Sequence, residues 1–129
     1  MSQTFTVEII SPDRSVIKTN TSEVIIPSFE GEMGILKDHI PLITFLRPGL
    51  IKITGEQEKI FFVDDGTVEF ANNTLLILTS TAKELSTLDK SSINSQISEA
   101  ELKINNETLN DKEKYLLSYK IDTLKNINQ

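Results

Sequence analysis

The chain has 129 residues, a formal net charge of −6 and no cysteine. This length suits one ordinary domain or a smaller domain with an appendage, and it can bury a core without covalent cross-links. The lack of cysteine excludes disulfides and thiolate metal sites. The acidic balance, without a basic patch, disfavours nucleic acid and anionic bilayers as partners. The apolar runs are far shorter than the roughly 20 residues of a membrane-spanning helix, so we expect only indirect membrane association.

The first part of the chain, residues 1–84, has the sequence pattern of a β-domain. Short alternating or apolar segments recur with turn signals between them, which is typical of sandwiches and barrels. Asp65-Gly66 lies between two apolar runs and predicts a hairpin, and Asn72-Asn73 predicts a further turn. We therefore expect a flattened β-sandwich or barrel with strands at 4–9, 22–28, 50–54, 59–64, 67–71 and 74–79.

The second part, residues 85–129, has helical periodicity and contains neither Pro nor Gly. Asp89 or Ser91 is a candidate N-cap for a first helix, and Asn110 with Glu113 resembles a capping box that starts a second one. The apolar positions of the first helix are Ile93, Ile97, Ala100 and Ile104. The sequence therefore predicts an antiparallel two-helix hairpin, whose narrow apolar face must pack on the β-domain or on a partner.

Little in the sequence indicates catalysis or metal binding. His39 is the single histidine, so it has no second His or Cys with which to share zinc, and no Ser-His-Asp pattern surrounds it. Asp64-Asp65 lacks the further oxygen ligands of a calcium or magnesium site, and the adjacent Gly favours a turn. No Gly-rich phosphate loop occurs. We expect no catalytic residue, no metal site and no cofactor.

The most informative stretch is 27–53, which reads PSFEGEMGILKDHIPLITFLRPGLIKI. It resembles the epsilon subunit of bacterial and chloroplast F-type ATP synthases in its Gly-Glu-apolar-Gly-Ile core, the following His and Pro-Leu, and the Pro-Gly before an Ile-x-Ile strand. The segment 65–70, DGTVEF, is similar to the family's Gly-Gly-x-x-Glu-Val hairpin. The resemblance implies a non-catalytic rotor subunit of the central stalk, which couples gamma to the c-ring during ATP synthesis.

A glycine-flanked acidic segment carries the first implied contact. Gly31 and Gly34 bracket Glu32 and Met33, which predicts a tight exposed loop. From residue types alone this is a solvated turn, whereas the resemblance implies that it faces the polar loops of the c-ring. Those loops commonly carry Arg, and a carboxylate binds a guanidinium through charge-assisted hydrogen bonds. The implied c-ring contacts are Glu30, Gly31, Glu32, Met33 and Gly34, with Glu32 as the main one.

A second implied contact follows directly along the chain. From residue type alone, His39 is a partly packed histidine after a turn. The resemblance implies instead that His39, Pro41 and Leu42 lie on the face that meets the gamma subunit.

The tail departs from the family in its charged residues. Some members bind ATP through an Ile-Asp-x-x-Arg-Ala motif, but the matching segment 88–94 reads LDKSSIN and lacks the Arg whose planar fork suits phosphate. We therefore do not expect ATP binding. In the inhibitory form of the family the last helix meets an acidic motif on the catalytic beta subunit, a regulatory role implied here for Lys112, Lys114 and Lys120. Because acidic residues nearly balance these lysines, we expect weak or absent inhibition.

The N-terminal residues bear on the location of the protein, and the predicted fold also allows an alternative function. The first ten residues resemble neither a secretory signal nor a transit peptide. The resemblance then implies a peripheral position, within the ATP synthase, on the cytoplasmic face of a bacterial inner membrane. The alternative is a free-standing β-sandwich that binds a peptide or carbohydrate and dimerises through its helical tail. The lack of Trp counts against a carbohydrate site.

Deletion of residues 85–129 tests the expectation for the tail. Because its charges are nearly balanced, we expect the assembled enzyme to hydrolyse ATP at the same rate with and without the deletion. The measurement is a steady-state ATPase assay at matched subunit content. Several-fold activation on deletion would contradict weak or absent inhibition.

Overall fold

The computed structural model describes residues 3–127. Within them a β-domain precedes two helices, which confirms the predicted fold class. The helices are α1 (Lys90–Ile104) and α2 (Asp111–Ile127), and a short 3-10 turn, Leu85–Thr87, precedes them. The strands are β1 (Phe5–Ser11), β2 (Arg14–Thr21), β3 (Glu23–Ser28), β4 (Gly31–Leu36), β5 (Leu42–Leu46), β6 (Gly49–Ile53), β7 (Lys59–Val63), β8 (Gly66–Ala71), β9 (Thr74–Leu78) and β10 (Lys83–Glu84).

The strands form one curled sheet with two halves. One half contains β10, β7, β6, β3 and β4, and we call it the helix-bearing half because both helices pack on its outer face. The other, which we call the open half, contains β5, β8, β9, β1 and β2. The pairing of β1 with β9 is parallel and the others are antiparallel. The halves meet where Ser28 at the end of β3 pairs with Leu46 of β5.

The core lies between the two halves. Alternate side chains of each strand point into it, as expected for a sheet with one buried face. Phe5 and Phe70 meet edge to face there, with their ring centroids 5.6 Å apart. Each fully buried branched aliphatic side chain contributes about 1.5–3 kcal/mol relative to exposure. The fully buried set includes Val7, Ile9, Val24, Ile26, Ile35, Ile51, Val63, Val68, Leu75 and Ile77.

The Asp65-Gly66 segment is not a hairpin turn, so that prediction is wrong. Strand β7 pairs with β6 and β10, whereas β8 pairs with β5 and β9. The segment therefore crosses from one half to the other. Gly66 has a φ of 156°, and a Cβ added to it would lie 2.8 Å from the carbonyl oxygen of Leu78. Asn72 and Asn73, with φ values of 52° and 54°, do form the predicted turn, between β8 and β9.

Both helices begin at predicted caps, and of the two candidates for α1 it is Asp89 that caps the helix. The Asp89 carboxylate accepts a hydrogen bond from the backbone N–H of Ser92 at 2.7 Å. Asn110 and Glu113 exchange side-chain-to-backbone hydrogen bonds of 2.8 and 3.3 Å, which confirms the capping box. Neither helix within residues 3–127 is long and apolar enough to cross a bilayer.

The narrow apolar face of the hairpin packs on its own β-domain. Ile93, Ile97 and Leu124 form a buried cluster with Phe62 of β7, and Leu50 of β6 packs against this cluster. The face that the alternative function would use for dimerisation is therefore covered within the chain.

Replacement of Gly66 by Ala should lower the free energy of unfolding by roughly 1–3 kcal/mol. The added methyl meets the Leu78 carbonyl, and the positive φ disfavours any residue with a Cβ. The measurement is urea unfolding. Gly55→Ala is the matched control, because the nearest heavy atom to its new Cβ is at an ordinary 3.6 Å. Equal stability of the two variants would contradict this account of the crossover.

Candidate functional site

The acidic segment forms a β-hairpin, so the predicted tight loop between Gly31 and Gly34 is wrong. The turn consists of Phe29 and Glu30, and Gly31 already begins β4, which pairs with β3 along its full length. Gly31 has a φ of 130°, and its carbonyl accepts a hydrogen bond from the buried Ser28 hydroxyl at 2.6 Å. Two glycines three positions apart are typical of a loop, but here the backbone hydrogen-bond ladder with β3 keeps the segment between them extended.

Alternation along β4 separates the residues implied to contact the c-ring. Glu32 and Gly34 lie on the outer face, whereas Met33 packs inward against the core. Glu30 is exposed in the turn. The ion pairs found within residues 3–127 involve neither glutamate. Both carboxylates can therefore accept hydrogen bonds from a cationic partner.

The connection between β4 and β5 holds His39 against the core. Its ring meets Phe70 edge to face, with centroids 5.9 Å apart. Its Nδ1 lies 2.8 Å from the carbonyl oxygen of Ile40. Asp38, which has a φ of 65°, accepts from and donates to the side-chain amide of Asn73 at 2.9 and 2.7 Å. His39 is thus partly packed, as its residue type alone suggests. Its contacts hold the segment between β4 and β5 against the core.

An exposed apolar surface extends from this connection over the open half. Ile43 and Phe45 alternate with inward-facing residues of β5, and in the sheet register Phe45 and Leu78 lie on either side of Thr67. Large exposed apolar patches mark interaction sites. We call it the open-face surface, and it consists of Ile40, Ile43, Phe45 and Leu78, which are 74, 69, 57 and 46% exposed.

The open-face surface borders the residues implied to contact gamma. Pro41 is exposed, whereas Leu42 packs against the core. Between them and β8 lies a shallow depression of about 400 Å³, which Ile43, Glu69 and Phe70 also line. Our sequence reading missed Ile40, Ile43, Phe45 and Leu78. The signal available in the sequence was the nearly unbroken apolar run of 40–46. In a single strand such a run places apolar side chains on both faces.

Two of the three tail lysines contact the β-domain. Lys120 forms an ion pair of 3.0 Å with Asp64, and both side chains are mostly buried. The ammonium of Lys112 lies 5.6 Å from the ring centroid of Phe29. Lys114 is exposed on α2. With the tail docked, Lys120 is therefore occupied within its own chain.

Arg47, in the connection between β5 and β6, binds both tyrosines of the tail. Its guanidinium carbon lies 3.8 Å from the ring centroid of Tyr119, and its Nη1 donates to the Tyr115 hydroxyl at 3.2 Å. The hydrogen bond from Arg47, then one from Tyr119, lowers the pKa of Tyr115 below its ordinary value. The Tyr115 hydroxyl in turn donates to the Phe29 carbonyl at 3.3 Å. No local sequence pattern predicts this cluster, because its members are far apart along the chain.

The surfaces described above are suited to binding rather than to a bond-making reaction. Within residues 3–127 no group of three or more His, Cys, Asp or Glu side chains is placed to hold a metal ion. His39 contacts an aromatic ring and a backbone carbonyl, so its contacts are those of a packed side chain. The distinctive features are instead exposed carboxylates, exposed apolar side chains and a docked tail.

The known sequences that resemble this chain agree with one another in their family. The pattern of the ATP synthase Delta/Epsilon chain beta-sandwich domain matches residues 4–85. An ATP synthase epsilon chain from Pelagibacter ubique is 46% identical over 130 residues, covering 99% of this chain and 100% of the relative. A chloroplastic ATP synthase epsilon chain from Gracilaria tenuistipitata is 37% identical, covering 86% of this chain and 83% of the relative.

Solved structures share the fold at low sequence identity. A chain in the Euglena gracilis mitochondrial ATP synthase, solved with OSCP, F1 and the c-ring, matches with a TM-score of 0.75 at 18% identity, covering 97% of this chain and 79% of the other. A chain of the central stalk and c-ring of the Tetrahymena thermophila enzyme matches with a TM-score of 0.65 at 14% identity, covering 96% of each chain. The sequence matches show that the chain belongs to the ATP synthase delta/epsilon family, as an epsilon-type chain.

Proposed function

We propose that this chain is a non-catalytic central-stalk subunit that couples gamma to the c-ring of an F-type ATP synthase. The observation that carries the proposal is that one β-domain presents two exposed surfaces of different chemistry. An acidic hairpin lies at the end of β3, and an apolar surface covers part of the open half. Residues 1–84 form the docking domain in this proposal and residues 85–129 form the tail.

The acidic hairpin is the proposed c-ring contact. Glu30 and Glu32 present carboxylates to solvent at the edge of the sheet, where guanidinium groups of c-ring loops can reach them. Gly31 and Gly34 leave the backbone accessible beside them, because neither carries a side chain. Met33 faces the core, so its contribution is to hold the strand rather than to touch the partner.

The open-face surface is the proposed gamma contact. Its apolar side chains give more contact area than His39 and Pro41 do alone, and apolar burial is the main source of interface stability. His39 and Leu42 support this surface from beneath by packing on the core.

The β-domain transmits force because its core is close-packed. Backbone ladders link both contact surfaces through β3 and β5, and well-packed interiors have low compressibility. In the proposal, a displacement of the acidic hairpin by the c-ring therefore moves the open-face surface with it.

The proposed location is peripheral, on the cytoplasmic face of a bacterial inner membrane and within the ATP synthase complex. In the docked tail, Lys120 is paired with Asp64, and Lys112 lies near Phe29. Lys112, Lys114 and Lys120 would therefore meet the beta subunit together only after α2 leaves the β-domain. This requirement supports weak regulation of ATP hydrolysis.

The double variant Ile43→Ser with Phe45→Ser should weaken binding to isolated gamma by about tenfold or more, because both side chains would be buried in the interface. The measurement is a titration monitored by calorimetry. Leu102→Ser is the matched control, since Leu102 is a 78% exposed apolar residue on α1. Equal affinities of the double variant and the control would contradict the proposed gamma contact.

The double variant Glu30→Gln with Glu32→Gln should bind isolated gamma normally and bind a detergent-solubilised gamma–c-ring assembly more weakly. Loss of two charge-assisted hydrogen bonds predicts a weakening of at least about tenfold, and a smaller salt dependence. Unchanged affinity and salt dependence for the assembly would show that these carboxylates do not contact the c-ring.

A further inference from the structure

The tail meets the acidic turn at Phe29, through the Tyr115 hydroxyl and the Lys112 ammonium. Tyr115 of α2 donates a hydrogen bond to the carbonyl of Phe29, which is the first residue of the turn and precedes Glu30. We propose that the docked tail positions this turn through the Tyr115 hydroxyl, so that tail docking and c-ring contact are coupled. The inference rests on the proposed function for the identity of the partner.

The turn is held from two sides. On the sheet side, the backbone N–H of Phe29 donates to the carbonyl of Phe45 at 3.1 Å. On the tail side, its carbonyl accepts from Tyr115, and its ring lies beneath the ammonium of Lys112. The carbonyl belongs to the planar peptide group that joins Phe29 to Glu30, so its orientation also fixes the position of the Glu30 Cα from which the carboxylate side chain extends.

Arg47 is a positioning residue for this contact. Its backbone N–H donates to the carbonyl of Pro27 at 2.9 Å, which ties it to the end of β3. Its guanidinium donates to the oxygen of the Tyr115 hydroxyl, which leaves the hydroxyl proton free to bond Phe29. A hydroxyl that accepts from a cation becomes a stronger donor, so the two bonds reinforce each other.

The space beside the turn makes the tail contact significant. A groove of about 690 Å³ lies between the β-domain and α2, with Phe29, Phe45, Lys112 and Leu116 among the residues that line it. The turn is therefore not packed tightly on that side. Without the tail, the Phe29 carbonyl and ring lose their partners there, and the groove gives the turn room to move.

Coupling of this kind is reciprocal. If the docked tail favours the turn conformation that fits the c-ring, then c-ring binding favours the docked tail by the same factor. The net strength of one hydrogen bond sets this factor at about two- to tenfold. A chain held on the c-ring would therefore keep its tail docked and its Lys120 paired with Asp64.

Hydrogen exchange on the isolated full-length chain tests the contact directly. Tyr115→Phe removes the hydroxyl and keeps the ring, so the amide of Phe29, which donates to the Phe45 carbonyl, should exchange about two- to tenfold faster than in the parent chain. Lys120→Gln is the matched control, because it removes a tail contact to Asp64 and does not touch the turn. Unchanged exchange in Tyr115→Phe, or equal acceleration in the control, would overturn the role of the hydroxyl.

Binding to a detergent-solubilised gamma–c-ring assembly tests the coupling. Tyr115→Phe should bind this assembly more weakly by the same factor and bind isolated gamma as the parent chain does. Faster exchange at the turn with unchanged affinity for the assembly would overturn the coupling. If the acidic turn plays no part in binding the assembly, the proposed function fails at that step, and the exchange experiment still decides whether Tyr115 positions the turn.

Discussion

The two-sided pairing of β3 is the constraint on which the rest of the molecule depends. One edge of β3 pairs with β4 along its whole length, and the other edge is divided between β6 and β5. The two halves of the sheet separate at the end of β3. The acidic turn, the Arg47 connection and the start of the open half therefore all lie around Ser28. The acidic turn and the open half of the sheet therefore begin at the same point of the fold.

The outer faces of the two halves of the sheet differ in whether the tail covers them. On the helix-bearing half, Phe62 and Leu50 are covered by the tail, which removes apolar surface from water without a partner. On the open half, Phe45 and Ile43 remain exposed in the isolated chain. Exposed aromatic and branched side chains on a sheet favour association. This difference distinguishes the face that the chain uses for its own stability from the face available to another subunit.

Local signals predicted local structure well. The Asp89 cap and the Asn110–Glu113 capping box act over three residues, so their hydrogen bonds do not depend on the rest of the fold. The Asn72-Asn73 turn is similarly local. The Asp65-Gly66 prediction failed because a hairpin requires its flanking strands to pair, and strand pairing is decided by the whole sheet. Strand β5 was missed because its apolar residues face both sides, which hides the alternation of a half-buried strand.

By itself the sequence determined the fold class, the capping box of α2 and the family resemblance over 27–53, because each depends on the overall residue pattern or on residues close along the chain. Tertiary structure alone decided that Glu32 lies on an edge strand, that Ile43 and Phe45 share an exposed face, and that Tyr115 reaches Phe29 across 86 positions. These arrangements arise from strand register and from the packing of the tail on the sheet. Both depend on contacts between residues that are distant in sequence, and such contacts form only when the whole chain folds.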